Sequence, residues 1–283
     1  MPNRALFGPG GNGDLFYTQG NKSTLQAPGW VRRFGLDAYE YEAGNGISAG
    51  EAALRAIGEK AREHGIHMSL HTPYFISLSG IDEEKRLKSI EYIRKSLWAA
   101  ELLGAHTIVI HSGSTAKLSR ADAMALSKDT LARVADEFSD ATIHLGIETM
   151  GKLNQLGTLD EVIEQCRTSP LFVPVVDFGH LNARNIGGAF PNADSYRRIF
   201  DRIGEALGDT VAKNLHCHFS KIEYTDKGEK KHLTFADDQY GPEFAPLMEA
   251  IVRESLTPCI ICESAGTQAE DALAMKQHYD SLL

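Results

Sequence analysis

The chain has 283 residues, 42% of them hydrophobic, enough for one large core. A formal net charge of −9 argues against a general nucleic-acid coat, while a local basic groove on an acidic protein stays open. Four cysteines are too few for a disulfide scaffold, no run of about 18 apolar residues suits a membrane span, and residues 1–14 lack an apolar leader core, so a cytoplasmic protein is expected.

The elements are predicted in chain order from apolar periodicity and stop signals. A short apolar piece at 5–7 runs into the glycine-rich stretch 8–13, whose spacing fits neither a dinucleotide nor a phosphate loop and is read as a plain loop. Residues 30–34 end a first helix, and 37–41 alternate as a strand. A helix at 52–64 stops at Gly65, and a strand at 67–70 runs into His71. The long helix 82–103 closes at Gly104, and the strand 106–110 enters His111. Helix 120–138, strand 143–147 entering Glu148, and helix 159–166 follow. Strand 172–176 enters Asp177-Phe178-Gly179-His180. Helix 193–207, strand 215–218, helix 242–255 with Pro242 in its first turn, strand 258–262 entering Glu263 and helix 268–282 complete the chain. Cys259 and Cys262 form a C-x-x-C inside an apolar run and are read as core thiols, not a redox or zinc pair.

Strand and helix alternate about eight times, the pattern of a (β/α)8 TIM barrel, taken as one domain over residues 1–283. A doubly wound open sheet is the alternative. In a parallel barrel the C-terminal strand ends converge on one mouth. His71, His111, Glu148, Asp177, His180, His218 and Glu263 all fall at such ends, and His232 follows in a long connection. Crowded carboxylates repel and lose hydration, and a divalent cation relieves both costs. Imidazole with carboxylate suits zinc or manganese better than magnesium or calcium. The donors exceed what one zinc takes, so two or three ions sharing carboxylates are expected. His64, His67, His106, His144 and His278 are read as packing or surface residues, and His216 as facing the helices.

These motifs resemble the endonuclease IV family of apurinic/apyrimidinic endonucleases, within the xylose isomerase-like TIM barrels. His71-Thr72-Pro73-Tyr74-Phe75-Ile76-Ser77-Leu78 is similar to the family's H-x-x-Y-x-I-N-L. His111-Ser112-Gly113-Ser114 is similar to H-P-G-S, Ile147-Glu148-Thr149 to I-E-N, and Asp177-Phe178-Gly179-His180 to D-x-x-H. His218-Phe219-Ser220 is similar to H-x-N, and Ile261-Cys262-Glu263-Ser264 to L-E-T. The resemblance implies one zinc on His71, His111 and Glu148, and a second on Glu148, Asp177, His218 and Glu263. It implies a third on His180 and His232. Cleavage 5′ of an abasic site in double-stranded DNA, by a hydroxide bridging the metals, is the implied activity, with Glu148 and Glu263 as catalytic carboxylates. Tyr74 falls where the family carries an aromatic that enters the damaged duplex.

Three departures accompany the resemblance. The family's D-x-H has Lys230 two residues before His232, so a third metal that is weak, absent or replaced by the Lys230 ammonium as a phosphate clamp is expected. Its N-D reads Ser220-Lys221, and the second-strand loop, 42–46, is acidic and glycine-rich. An abasic-DNA enzyme would draw on Lys117, Lys152, Arg184, Lys221, Lys230 and Lys231 near the mouth, with affinity that falls as salt rises. The alternative is a sugar isomerase or epimerase of the same superfamily, with one metal on Glu148, Asp177, His218 and Glu263 and a small sugar as substrate. A third reading is a non-catalytic binding relative. A monomer is expected.

Overall fold

The computed structural model describes residues 4–283. Strand and helix alternate along it as β1 (Leu6–Pro9), α1 (Asp14–Thr18), α2 (Ala27–Arg33), β2 (Ala38–Glu42), α3 (Glu51–His64), β3 (His67–His71) and α4 (Glu83–Leu103). Then come β4 (Ala105–His111), α5 (Arg120–Glu137), β5 (His144–Glu148), α6 (Leu159–Cys166), β6 (Phe172–Asp177), α7 (Phe178–Arg184), α8 (Ala193–Leu207) and α9 (Asp209–Lys213). The chain ends with β7 (His216–Phe219), a hairpin of β8 (Ile222–Thr225) and β9 (Gly228–His232), α10 (Ala245–Arg253), β10 (Cys259–Cys262) and α11 (Gln268–Ser281).

Eight strands form one parallel sheet in the order β1-β10-β7-β6-β5-β4-β3-β2. Apart from the inserted hairpin, that order follows the sequence around a ring, and no reversal of the kind that marks a doubly wound sheet interrupts it. The ring draws together between β1 and β2. Asp37 N–H donates to Phe7 O at 2.9 Å, Gly11 N–H donates to Glu40 O at 3.0 Å, and Gly10 bridges Glu40 in parallel. A Cβ at Gly8 would lie 1.8 Å from Ala38 O, so only glycine lets the two strands approach there. The stretch read as a plain glycine loop is therefore partly strand and seam.

Period-two alternation sorts each strand's side chains. Phe7, Met68, Leu70, Ile108, Ile110, Leu145, Ile147, Val176, Cys217, Phe219, Ile260 and Cys262 join the large core between barrel and helices. Each fully buried aliphatic or phenyl group there contributes about 1.5–3 kcal/mol. The opposite parity faces the barrel axis and includes a small apolar group of Ala38, Cys259 and Ile261, with Leu6 packed on it. Val109 and Val175 share that inward parity, and beside them stands a polar set in which Glu40, Ser69, His71, Glu148, Asp177, His216 and His218 are all buried.

The helices start on side-chain caps. Asp82 caps α4, Ser119 caps α5, and Thr158 with Glu161 forms a capping box on α6. Helix α10 begins three residues later than expected, because Pro246, not Pro242, takes the first-turn position. The β8–β9 hairpin and the short helices α1, α7 and α9 carry too few periodic residues to be read in advance. Cys259 and Cys262 are buried and free, and burial pushes the Cys262 thiol up to about 12, as core thiols require. No helix among the described residues is long and apolar enough to cross a membrane.

Candidate metal centre

The C-terminal ends of β3, β4, β5, β6, β7 and β10 bring His71, His111, Glu148, Asp177, His218 and Glu263 to one mouth. Glu148 lies at its middle. Its Oε2 is 3.6 Å from His71 Nε2 and 3.4 Å from His111 Nε2. Its Oε1 is 2.9 Å from His218 Nδ1 and 3.5 Å from His180 Nδ1. Each oxygen thus faces a different set of partners. Two groups of donor atoms, each within 4.8 Å, share Glu148: His71, His111 and Glu148, and Glu148, Asp177, His218 and Glu263. His180, Glu229 and His232 form a separate group, and Glu40 joins two more, with His216 and His218 and with Glu42 and Glu263.

Local structure fixes the orientation of each donor. His71 Nδ1 lies 2.9 Å from Thr72 O, His180 Nδ1 3.0 Å from Thr149 O, and His232 Nδ1 2.9 Å from Ser220 Oγ. Contacts on the far nitrogen of this kind hold a ring and set its tautomer. Asp177 ends β6 and caps α7 at once: its Oδ1 accepts from His180 N–H at 2.8 Å, which leaves Oδ2 bare. Ser220 stands where the resembled family has asparagine, and it supports His232.

The third group holds a correction. Lys230 was expected beside His232, but its ammonium pairs with Glu223 at 2.5 Å and is exposed. The hairpin register pairs Glu223 with Lys231 and Tyr224 with Glu229, which leaves Lys230 as an extra bulged residue. A bulge breaks alternation. Glu229 and His232, three apart, therefore share the face toward His180, whose Nε2 is 3.4 Å from Glu229 Oε2. A Cβ at Gly228 would meet Gly151 O at 2.2 Å, so glycine is what seats the hairpin against the loop after β5.

His216 is a second correction. Residues two apart on a strand share a face, so His216 points inward with His218 and not toward the helices. Its Nε2 is 3.0 Å from Glu40 Oε2. Glu40, Glu42 and Glu229 were missed. Glu40 occupies the inward parity of the strand read at 37–41, a signal that alternation could have supplied, while Glu42 was read into the following loop and proves to end β2.

The titrations follow from crowding. Burial would lower His71, but Glu148 and Glu42 outweigh it and push the imidazole up to about 10. Burial pulls His111 down to about 4. Burial pushes Asp177 up to about 6, with Glu263 and Glu148 adding to it against His180. Burial would also raise Glu263, yet His218 holds it at about 2. Buried oxygens without a hydrogen-bond partner mark every part of the cluster: Glu148 Oε2, Asp177 Oδ2 and Glu229 Oε2. Bare carboxylate oxygens at this depth are costly unless a cation meets them, so the donor set fits divalent metal.

Tyr74 lies over the mouth, its ring 5.6 Å from those of both His71 and His111, and it is 59% exposed. A cleft of about 440 Å³ opens there between Glu42, Asn45, Tyr74, His232 and Glu263. The other cations near the mouth are mostly engaged. Arg184 donates to Met150 O, Lys152 O and Gln155 O. Lys221 is buried against Glu243 at 2.7 Å, and Lys231 pairs with Glu223. Lys117 and Lys152 are exposed and have no ion pair among the described residues.

The pattern of the xylose isomerase-like TIM barrels matches residues 28–281. The chain belongs to that family. An uncharacterized protein of Methanocaldococcus jannaschii is 28% identical over 248 residues, 87% of this chain and 88% of that one. A probable endonuclease 4 of Acholeplasma laidlawii is 30% identical over 106 residues, 36% of each chain. Among solved structures, endonuclease IV from Thermus thermophilus superposes with a TM-score of 0.68 at 16% identity, covering 98% of this chain and 100% of that one. A D-tagatose 3-epimerase-like protein gives 0.68 at 18% identity, over 87% and 89%. At these identities the two structures share the fold with this chain.

Proposed function

We propose that the chain is a metal-dependent phosphodiester hydrolase resembling endonuclease IV, acting 5′ of abasic sites in DNA. One observation carries the reading: Glu148 is shared between donor groups, and a separate third group is completed by Glu229. A single-metal isomerase would use only Glu148, Asp177, His218 and Glu263, and would leave His71, His111, His180, Glu229 and His232 without work.

His71, His111 and Glu148 would hold one ion, Glu148, Asp177, His218 and Glu263 a second, and His180, Glu229 and His232 a third. Zinc or manganese, when bound, supplies Lewis acidity toward a phosphoryl oxygen and acidifies water. The chain's own residues do the rest. Glu148 and Glu263 set negative charge on two sides of the mouth, and Thr72 O, Thr149 O and Ser220 Oγ fix the imidazoles before substrate arrives. Tyr74 lays an exposed ring beside the donors, where it can hold a sugar or base and exclude water.

A sugar epimerase is the second reading, favoured by how few cations stand free around the mouth. An abasic duplex and a panel of ketoses, each incubated with the metal-loaded protein, separate the two. Strand cleavage leaving a 3′-hydroxyl is expected. Ketose epimerisation with an uncut duplex would sink the proposal.

A further inference from the structure

His71, His180 and His232 are each held through Nδ1 by a carbonyl or hydroxyl oxygen. His218 is turned the other way. Its Nδ1 points at the donors, 2.9 Å from Glu148 Oε1 and 3.4 Å from Glu263 Oε1. Its Nε2 is 2.9 Å from Glu40 Oε1, an ion-pair approach that falls short of hydrogen-bond alignment, and among the described residues neither atom has a hydrogen-bond partner. Glu40 is fully buried on β2, across the barrel from β7. Its second oxygen, Oε2, accepts from Ser69 Oγ at 2.7 Å and is 3.0 Å from His216 Nε2. Two donors therefore pin one oxygen and leave the other aimed at His218.

We infer that Glu40 is a positioning residue of the metal centre: its carboxylate, anchored by Ser69 and His216, holds the proton of His218 on Nε2 and so presents Nδ1 as the metal-binding nitrogen. Such carboxylate–imidazole pairs fix ring orientation and raise the basicity of the ligating nitrogen. Charge supports the role. Six carboxylates line the mouth and axis, Glu40, Glu42, Glu148, Asp177, Glu229 and Glu263, and three divalent ions would balance them one charge for one. Glu40, His216 and His218 also lie close enough to hold a cation themselves, and the test separates that outcome.

The inference rests on the metal-centre reading, so the wild-type protein comes first. Chelator-stripped full-length protein is titrated with zinc against a competing chelator, beside the Glu40→Gln and Ser69→Ala variants. Glutamine keeps one acceptor and loses the charge. It is expected to weaken one zinc by about 10–100-fold and leave the others unchanged. In zinc-loaded wild type, nitrogen NMR should find His218 bound through Nδ1 and protonated at Nε2, an assignment that a purely structural role for Glu40 would not require. Should Glu40→Gln fail to fold, Ser69→Ala loosens the anchor alone, and a loss of about twofold or more at the same zinc is expected. Wild-type affinity in every soluble variant, or His218 bound through Nε2, overturns the inference and leaves the metal centre standing. Loss of a whole zinc equivalent that His218 does not sense makes Glu40 a ligand and also overturns it. A wild type that takes up no zinc removes the metal centre and this inference together.

Discussion

At the residue scale, Glu148→Gln keeps the volume of the side chain and removes its charge. Because each of its oxygens faces separate imidazoles, the variant should bind fewer metal ions per chain and lose turnover to background, with the fold retained by circular dichroism. Turnover at the wild-type rate would refute the shared carboxylate. His67 offers a second test, away from the mouth. It lies at the opposite end of the barrel, where His67, His106, His144 and His216 line a pocket of about 470 Å³ with Leu6 and Cys259. Its ring stacks on His106 with centroids 4.4 Å apart. Burial, with His106 and His216 adding to it, pulls its pKa down to about 3. The unfolded chain then binds a proton that the folded chain refuses between about pH 6.5 and 3, so this residue's contribution is full above about 6.5 and is lost as pH falls through that window. His67→Leu should flatten the fall of the thermal midpoint across that range; an unchanged slope would contradict the assignment. The same scale shows what was legible. His71, His111, Glu148, Asp177, His218 and Glu263 could be read because parallel strand ends must converge. Glu40 could not be paired with His216 from sequence, since the two meet across the barrel axis, 176 residues apart.

At the scale of elements, two features decide whether the site assembles. The first is the β1–β2 seam. Gly8→Ala drives a methyl into Ala38 O, a backbone atom that cannot swing away. The variant is expected to lose about 1–3 kcal/mol, read as a lower urea midpoint, and an unshifted midpoint would mean that the seam yields freely. The second is the hairpin. Its bulge at Lys230 explains why the sequence pattern misled: D-x-H spacing presumes plain alternation, and one inserted residue moves the acid to position 229. Glu229→Gln should therefore remove one bound metal per chain, while Lys230→Ala removes none. The opposite result would restore Lys230 as the group beside His180. Strands β2 to β7 and β10 were legible from period and stop signals, because each has an apolar face toward the helices, whereas β1 was read only in part, since its Gly8 and Pro9 look like loop. The hairpin buries Ile222 but is short and mostly polar, too brief for a period to be read from it.

At the scale of the whole molecule, a barrel whose axis is lined with imidazole and carboxylate trades an apolar interior for a charged one. Imidazole–carboxylate pairs offset part of that cost, and cations bound at the mouth would offset more. A net charge of −9 and few free cations near the opening suit recognition through the metal ions more than through a basic surface. Duplex affinity should then depend on salt less steeply than for proteins that grip many phosphates. Metal content per chain tests the central claim most directly. Protein purified with zinc and desalted, then measured by elemental analysis against amino-acid concentration, is predicted to hold close to three ions per chain. A value of one or none would contradict a shared multinuclear centre at Glu148.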